Sequence, residues 1–237
     1  MKQLAPALLE QLRQLDSCTL ANAIEVFDVR LRNKGFGDSR IRCLFEEFPP
    51  MAGYAVTARI RTSEPPMEGL SYYYRLDWLD HVLSIPPPRV LVLEDLDTYP
   101  GLGSFLGDVH TNILAALGCV GVVTNGAVRD LPAARALHFQ MFAHNASVSH
   151  AYAHIFDYGK PIEIGRMAVH PGDLIHGDRH GVQTVPFEIA DKIPAVAREM
   201  QAQEEEIIRL CKSPGFTIET LRAQVRALGE KRKECKP

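Results

Sequence analysis

The sequence predicts an α/β domain built on a mixed sheet, with helices at its N-terminus and a C-terminal helical extension. Apolar strand segments alternate with helical periodicities between positions 54 and 142, a pattern typical of parallel strands joined by crossover helices. Four short apolar segments separated by glycines follow between 162 and 185, which favours antiparallel strands. Because helical periodicity resumes after this region, we expect a domain at 1–186 and a helical extension at 187–237.

The first part of the chain begins with helices. Leucines recur at helical spacing from Leu4 to Leu15, and Asp16 and Ser17 supply side-chain oxygens suited to cap a second helix. The segment Arg30–Pro50 has no such period and predicts a loop, which we expect to cover a cleft. The predicted elements of this region are helices at 4–15 and 17–26, the loop, and a strand at 54–60.

The middle of the chain predicts strand–helix–strand units. Three prolines at 86–88 end a helix predicted from Gly69 to Ser84, and the glycines of Gly101–Gly107 predict a turn into the next helix. The remaining predicted elements are strands at 90–93, 120–123 and 140–142, helices at 111–117 and 133–137, antiparallel strands at 162–164, 167–169, 174–176 and 182–185, and two helices ending near 210 and 228.

Composition disfavours several classes of function. The 237 residues are 46% hydrophobic and 23% charged with a net charge of −3, so we expect a globular protein with no nucleic-acid partner. The basic run Lys231 to Lys233 is typical of a solvated helix end. The five cysteines form no C-x-x-C pair, and we find neither a signal sequence nor an apolar run long enough for a membrane. We therefore expect a cytoplasmic protein without membrane association.

The glycine-rich segment Gly101–Gly107 follows a strand and opens a helix, a context in which backbone N–H groups favour an anion. A dinucleotide fingerprint would need glycine at position 106, where Leu106 stands. The next strand ends at Thr124–Asn125, without the carboxylate that binds a ribose. The sequence therefore disfavours a Rossmann dinucleotide site and, by the same argument, an adenosine-binding methyltransferase.

Three charged residues lie where two successive strands lead into helices: Asp108, Arg129 and Asp130. Ligands bind at the carboxyl edge of parallel strands, so we expect these side chains to converge on one crevice. A carboxylate can hold Mg²⁺ or Mn²⁺, and arginine can form a two-pronged contact with a substrate carboxylate. The alternative, which spacing alone favours, is that Arg129 and Asp130 cap the helix beginning near Pro132 and pair with surface charges.

Five segments carry a resemblance to a known family: Gly107-Asp108, Gly118, Gly121 to Asp130, Pro171-Gly172-Asp173, and Asp178 to Pro186. Together they resemble the RraA-like proteins and 4-hydroxy-4-methyl-2-oxoglutarate aldolases. The hallmark is an aspartate followed after twenty residues by Arg-Asp, as positions 109 to 128 provide here. The resemblance covers roughly Leu20 to Pro186 and implies a swivelling-domain-like α/β sandwich, a homotrimer or hexamer, and a divalent metal such as Mg²⁺ or Mn²⁺.

The resemblance also implies roles for individual residues. Asp130 would ligate the metal, and Arg129 would bind the substrate and assist the departing charge. Asp108 would hold water on the metal and take part in proton transfer. The turn beginning at Gly107 would bind substrate, because the backbone amides of Val109 and His110 would receive the pyruvyl carboxylate.

These roles predict a metal-dependent carbon–carbon lyase acting on small 2-oxo acids. The expected reactions are aldol cleavage of the 4-hydroxy-4-methyl-2-oxoglutarate type and oxaloacetate decarboxylation, both through a pyruvate enolate. The alternative is a noncatalytic RraA-like trimeric regulator that binds a protein partner such as a ribonuclease. Family members that act only as regulators tend to lack an acid at the place of Asp108, so its presence favours the enzyme.

Several features depart from the family pattern and leave the substrate open. They are His110, Asn125, the loop at 30–50, Tyr72 to Tyr74, and the histidine-rich run from His144 to His180. Within that run His150 and His154 have the spacing of a zinc-binding helix but lack the glutamate of a metalloprotease. His176 and His180 flank Asp178, which either lines a pocket or stabilises a turn. The helix predicted through Trp78 is typical of a buried face.

Overall fold

A computed structural model describes residues 2–66 and 76–234, and it confirms the predicted α/β fold with a mixed sheet and helices at both ends. The helices are α1 (Pro6–Arg13), α2 (Ser17–Glu25), α3 (Trp78–Ser84), α4 (Asp108–Ala116), α5 (Leu131–Ala136), α6 (Ile193–Cys211) and α7 (Ile218–Glu234). The strands are β1 (Arg42–Cys43), β2 (Met51–Arg61), β3 (Arg89–Asp95), β4 (Ser104–Leu106), β5 (Cys119–Thr124), β6 (Ala127–Val128), β7 (Gln140–Ala143), β8 (Asn145–Ala146), β9 (His154–Tyr158), β10 (Ile162–Ile164), β11 (Met167–Val169), β12 (Leu174–Asp178) and β13 (Gly181–Val185).

The main sheet contains strands in the order β1-β7-β5-β3-β2-β12-β13, with β9 also paired to β2. Strands β2, β3, β5 and β7 are parallel, whereas β12 and β13 run antiparallel, as the sequence predicts. Because β2 is 11 residues long, β12 pairs with its first residues and β9 with its last. The parallel and antiparallel parts of the sheet therefore meet at β2.

Both faces of the main sheet bury an apolar layer. One face packs against α1, α2 and the start of α6, where Leu12, Leu20 and Ile193 are fully buried. The other face is covered by the β10–β11 hairpin, whose Ile164 and Val169 lie in a second buried cluster. Because Ile193 belongs to the main core, the first part of the C-terminal helices closes this chain's own core. Among the described residues, no helix has the length and apolar character needed to cross a membrane.

A second, smaller sheet corrects the prediction between 101 and 146. The segment Gly101–Gly107, predicted as a turn, contains β4, and neither β6 nor β8 has a counterpart in the prediction. These strands form a parallel sheet in the order β4-β6-β8. Each has only two or three residues, too few to show an alternating pattern. Helix α4 also begins three residues before its predicted start, at Asp108.

The histidine-rich run does not form the helix that a zinc site at His150 and His154 would require. His154 begins β9 and His150 lies in the preceding loop, so the two residues do not share a helix. The segment predicted as a loop at 30–50 includes β1, which pairs with β7. Of the helix predicted from Gly69 to Ser84, the structure describes the last part, α3, in which Trp78 is buried as predicted. Tyr72 to Tyr74 lie outside the described residues.

The turn interpretation of Asp178 is confirmed, and the same side chain anchors α2. One carboxylate oxygen accepts the His180 amide at 2.8 Å and the other accepts the Ser17 amide at 2.8 Å. Beside it, the fully buried His176 ring places Nδ1 3.3 Å from Ser17 Oγ and Nε2 3.1 Å from Leu15 O. Burial lowers the pKa of His176 and outweighs the nearby Asp178 carboxylate, so this joint between α2 and β12 contains a neutral imidazole.

Candidate active site

The small sheet brings the predicted site residues together. Parallel pairing places Leu106 beside Val128, and Val128 beside Ala146. The strands run in the same direction, so the residues that follow them emerge at one edge. Arg129 N donates to Leu106 O at 3.0 Å, and Ser147 N donates to Val128 O at 3.0 Å, which extends the pairing past the strand ends. Asp108, Arg129 and Asp130 therefore follow strand ends at one edge, of a sheet that the prediction lacks.

Asp130 has a backbone conformation that turns its side chain towards α4. Its φ is +53°, in the left-handed region that aspartate tolerates better than most residues. Its Oδ2 accepts the Asp108 amide at 2.9 Å and lies 3.3 Å from Arg129 Nε. Although Asp130 occupies the N-cap position of α5, it makes no capping hydrogen bond there. The side chain therefore joins the two strand ends, and the capping alternative is wrong for this carboxylate.

Gly107 allows this close approach. A Cβ at this position would lie 2.7 Å from Asp130 Oδ2 and 3.2 Å from Arg129 Cγ. Both distances are shorter than an ordinary contact between non-bonded heavy atoms. Glycine is therefore required between β4 and α4 if Asp130 is to reach the Asp108 amide.

Helix α4 presents its first turn to the site. Asp108 is exposed, and its Oδ1 accepts Asn112 Nδ2 at 2.8 Å. Val109 is 54% exposed, whereas the His110 ring is buried and packs 4.6 Å from the Phe105 ring centroid. The backbone amides of a first helical turn point out of its amino end and favour an anion, so the amides of Val109 and His110 have the direction that carboxylate binding requires.

Two histidine rings lie beside these charges. Burial and, to a smaller extent, His150 lower the pKa of His110 to about 4. Burial, followed by the Arg129 charge, lowers the pKa of His150 against the opposing effect of Asp130. Arg129 Nη1 lies 3.2 Å from His150 Nδ1 and 3.4 Å from His150 Nε2. The contact between Arg129 and His150 was not predicted, because composition is the only signal that the histidine-rich run carries.

Asn125, a departure from the family pattern, has a local structural role. Its side-chain oxygen accepts the Asp95 amide at 2.7 Å, and its side-chain nitrogen donates to Asp95 O at 3.0 Å. The Asp95 carboxylate in turn accepts the Gly101 amide at 2.8 Å. Burial raises the pKa of Asp95 despite the amide hydrogen bonds from Gly101 and Asp97. Asn125 thus fixes the end of β3, from which the chain leads to β4.

The oxygen donors of the site fit a hard divalent cation. Within 2–66 and 76–234, no group of three or more His, Cys, Asp or Glu side chains is arranged to hold a metal ion. Magnesium does not need such a group, because it commonly binds one or two carboxylates and retains several waters. The Asp130 side chain is 38% exposed, and its contact with Asp108 is to the backbone amide of that residue. Ligation by the Asp130 carboxylate, with water at the other positions, is therefore compatible with Mg²⁺ or Mn²⁺.

Comparison with known protein families places this geometry in context. The model of the RraA-like family, described as Aldolase/RraA, matches residues 17–183. The chain belongs to the RraA-like family. The matched region contains the strand ends that carry Asp108, Arg129 and Asp130. The resemblance identified from the sequence is thereby confirmed.

Individual relatives agree with this assignment. A Halalkalibacterium halodurans protein named "Putative 4-hydroxy-4-methyl-2-oxoglutarate aldolase" is 33% identical over 100 residues, covering 42% of this chain and 48% of that protein. The chain spans less than half the length of the curated relatives that it matches.

Two solved structures share the RraA-like fold. An uncharacterized protein from Pseudomonas syringae pv. tomato has a TM-score of 0.72 at 22% identity, covering 94% of this chain and 95% of that one. Streptomyces coelicolor RraAS2, described as an unusual member of the RNase ES inhibitor RraA protein family, has a TM-score of 0.67 at 21% identity, covering 86% and 97%. At these identities the likeness establishes the fold alone.

Proposed function

We propose that this RraA-like protein is a divalent-metal-dependent lyase that cleaves a carbon–carbon bond of small 2-oxo acids. The observation that carries the proposal is the meeting of Asp108, Arg129 and Asp130 at one sheet edge, with Asp130 Oδ2 2.9 Å from the Asp108 amide. The proposed reactions are aldol cleavage of the 4-hydroxy-4-methyl-2-oxoglutarate type and decarboxylation of oxaloacetate. The name of the Halalkalibacterium relative supports the first of these.

The two reactions share one intermediate, so the same residues can serve both. In both, the C3–C4 bond breaks and its electrons pass to the 2-oxo group, giving a pyruvate enolate. The aldol cleavage releases a second pyruvate and the C4 hydroxyl proton, whereas the decarboxylation releases carbon dioxide. Arg129 forks onto the substrate carboxylate and stabilises the negative charge as it develops. The amides of Val109 and His110, at the start of α4, orient the same carboxylate. Asp108 is exposed at the mouth of the site, where it orients a water that takes or returns a proton.

Asp130 would hold Mg²⁺ or Mn²⁺ directly, and Asp108 would hold it through water. When bound, the cation would polarise the 2-oxo oxygen of the substrate. Arg129 lies 3.3 Å from Asp130 Oδ2, so it limits the repulsion between this carboxylate and an anionic substrate. The neutral His110 and His150 rings contribute no further positive charge to hold the product.

The direct test is pyruvate release from a panel of 2-oxo acids, measured with Mg²⁺, with Mn²⁺ and with excess chelator. We expect turnover of at least one panel member that chelation abolishes and added metal restores. Asp108→Asn should retain pyruvate binding but lower turnover by about 100-fold or more, the usual scale of acid–base assistance. Asp191→Asn is the matched control, because Asp191 is an exposed carboxylate just before α6. Full turnover in chelator would refute the metal-dependent mechanism.

The competing function is a noncatalytic regulator that binds a protein partner such as a ribonuclease. The Streptomyces coelicolor protein is described as a member of an RNase ES inhibitor family, and the shared fold makes this the alternative to test. A wild-type protein that neither binds pyruvate nor decarboxylates oxaloacetate with added metal would favour the regulator over the lyase.

We also propose that the protein assembles as a homotrimer or hexamer. The apolar side chains of Leu102 and Val148, 59% and 95% exposed, lie near the candidate site and favour coverage by another copy. Light scattering coupled to size exclusion will measure the assembly state, and a monomer at micromolar concentration would refute it.

A further inference from the structure

His150 contacts Arg129 through the face of its ring. Arg129 Nη1 is nearly equidistant from the two ring nitrogens, at 3.2 Å from Nδ1 and 3.4 Å from Nε2. In an imidazole, Cε1 lies between these nitrogens. A donor in the ring plane that approached both equally would therefore collide with Cε1, so Nη1 must lie above the plane. The contact therefore places Nη1 over the face of the imidazole, with its N–H directed at the ring, and is not an in-plane hydrogen bond to a ring nitrogen.

Such a contact suits a guanidinium that must also bind a carboxylate. Arg129 Nε lies 3.3 Å from Asp130 Oδ2, which fixes one edge of the guanidinium group. The His150 ring contacts Nη1. Because Nε and Nη1 are both held, the orientation of the planar group is fixed. Its remaining N–H groups, on Nη1 and Nη2, can receive a substrate carboxylate while the plane is held.

The backbone around His150 is itself fixed against the small sheet. Ser104 N, at the start of β4, donates to Ser149 O at 2.9 Å. His150 O accepts the Ala153 amide at 2.9 Å, and a Cβ on Gly103 would lie 2.3 Å from that same oxygen. The loop that carries the imidazole therefore packs directly against the strand that leads to Asp108. Its position is coupled to the rest of the site.

We propose that His150 is a positioning residue that holds the plane of the Arg129 guanidinium for a substrate carboxylate. This inference rests on the proposed function and adds a determinant of 2-oxo acid binding to it. Its action requires the flat ring and not the ring nitrogens. It also requires Arg129, since His150 acts on the substrate through that side chain.

These two requirements define the experiment. Pyruvate affinity is measured by calorimetry at fixed Mg²⁺, together with KM and kcat for oxaloacetate decarboxylation, in His150→Ala, His150→Gln and His150→Phe. Loss of a face contact with an arginine corresponds to about a three- to thirty-fold loss of affinity, which we expect for the Ala and Gln variants. His150→Phe retains a flat face and should stay within about threefold of wild type. His154→Ala is the matched control, because His154 is a nearby histidine whose ring contacts a backbone carbonyl: its Nδ1 lies 2.8 Å from Tyr152 O, in the adjoining loop.

A double-mutant cycle completes the test. In an Arg129→Ala background, His150→Ala should cause no further loss of pyruvate affinity, and melting temperatures should show that each variant is folded. Three results would overturn the inference: unchanged affinity in His150→Ala, an equal loss in the Arg129→Ala background, or retention by Gln with loss by Phe. A wild-type protein that binds no pyruvate would instead overturn the proposed function, and this inference with it.

Discussion

Replacing Arg129 with lysine tests the clamp at the centre of the proposed mechanism. Lysine keeps the charge, but it offers a point-charge ammonium in place of a planar fork, and it loses the contact of Nη1 with the His150 ring. A hydrogen bond to a charged group contributes about 1.5–3 kcal/mol, and every 1.4 kcal/mol is tenfold, so we expect pyruvate affinity to fall by about 10- to 100-fold. Because Arg129 also stabilises charge that develops during the reaction, kcat should fall by about 100-fold or more.

The assay combines pyruvate calorimetry at fixed Mg²⁺ with initial rates of oxaloacetate decarboxylation. Arg198→Lys is the control, since Arg198 is exposed on α6 and lies outside the candidate site. The Arg129 side chain is 27% exposed and forms no part of the apolar core, so the melting temperature of Arg129→Lys should remain close to that of wild type. Affinity and kcat both within about threefold of wild type would show that a single positive charge suffices, and the clamp would be refuted.

Three other residues support predictions through their particular contacts. Asp130→Asn should lower Mg²⁺ affinity by more than about 100-fold in calorimetry while the circular dichroism spectrum is retained, because an exposed carboxylate supplies the metal ligand. Gly107→Ala should lower Mg²⁺ affinity by about tenfold or more in the same assay. The added Cβ would lie 2.7 Å from Asp130 Oδ2, so the Asp130 carboxylate would have to move away from its present position. The buried His176 has a lowered pKa in the folded state, so the unfolded chain binds its proton more readily. The contribution of the neutral His176 ring to the free energy of unfolding is complete above the ordinary pKa near 6.5 and is lost as the pH falls below it. Melting temperatures between pH 7.5 and 5.5 should therefore decline less steeply in His176→Gln than in wild type.

The sequence predicts six of the eight strands described for the main sheet because these strands are apolar, whereas β1 and β9 have no counterpart in the prediction. The segment Arg89–Asp95 is buried almost throughout, and the prolines before it permit no continuing helix. The antiparallel strands between 162 and 185 are separated by glycines and are equally clear. Strands β4, β6 and β8 could not be predicted from the sequence, because a strand of two or three residues is too short to show an alternating pattern of apolar residues.

The candidate site was predictable for a different reason. Asp108 and the pair Arg129-Asp130 each follow a parallel strand, and the rule that ligands bind at the carboxyl edge of such strands predicts one shared edge. The strands are β4 and β6, however, and not the main-sheet strands from which the prediction was made. The left-handed φ of Asp130, which directs its carboxylate to the Asp108 amide, has no signal in a residue type that is also common in helix caps. The contact of His150 with Arg129 depends on the path of a loop, and no periodicity describes such a path.

The geometry of the exposed charges depends on buried neighbours two or three residues away. Phe105, Leu106 and Val128 lie in the main core and are at most 1% exposed, while Asp108 and Asp130 project into solvent. Only a few residues of chain separate the buried side chains from the exposed carboxylates. The buried side chains therefore limit the motion of the carboxylates without burying them. Burial of these charges would carry a large desolvation cost. Replacing a carboxylate should consequently change chemistry and leave the fold intact, whereas truncating a buried neighbour to alanine should cost about 2–5 kcal/mol of stability and disturb the site together with the fold.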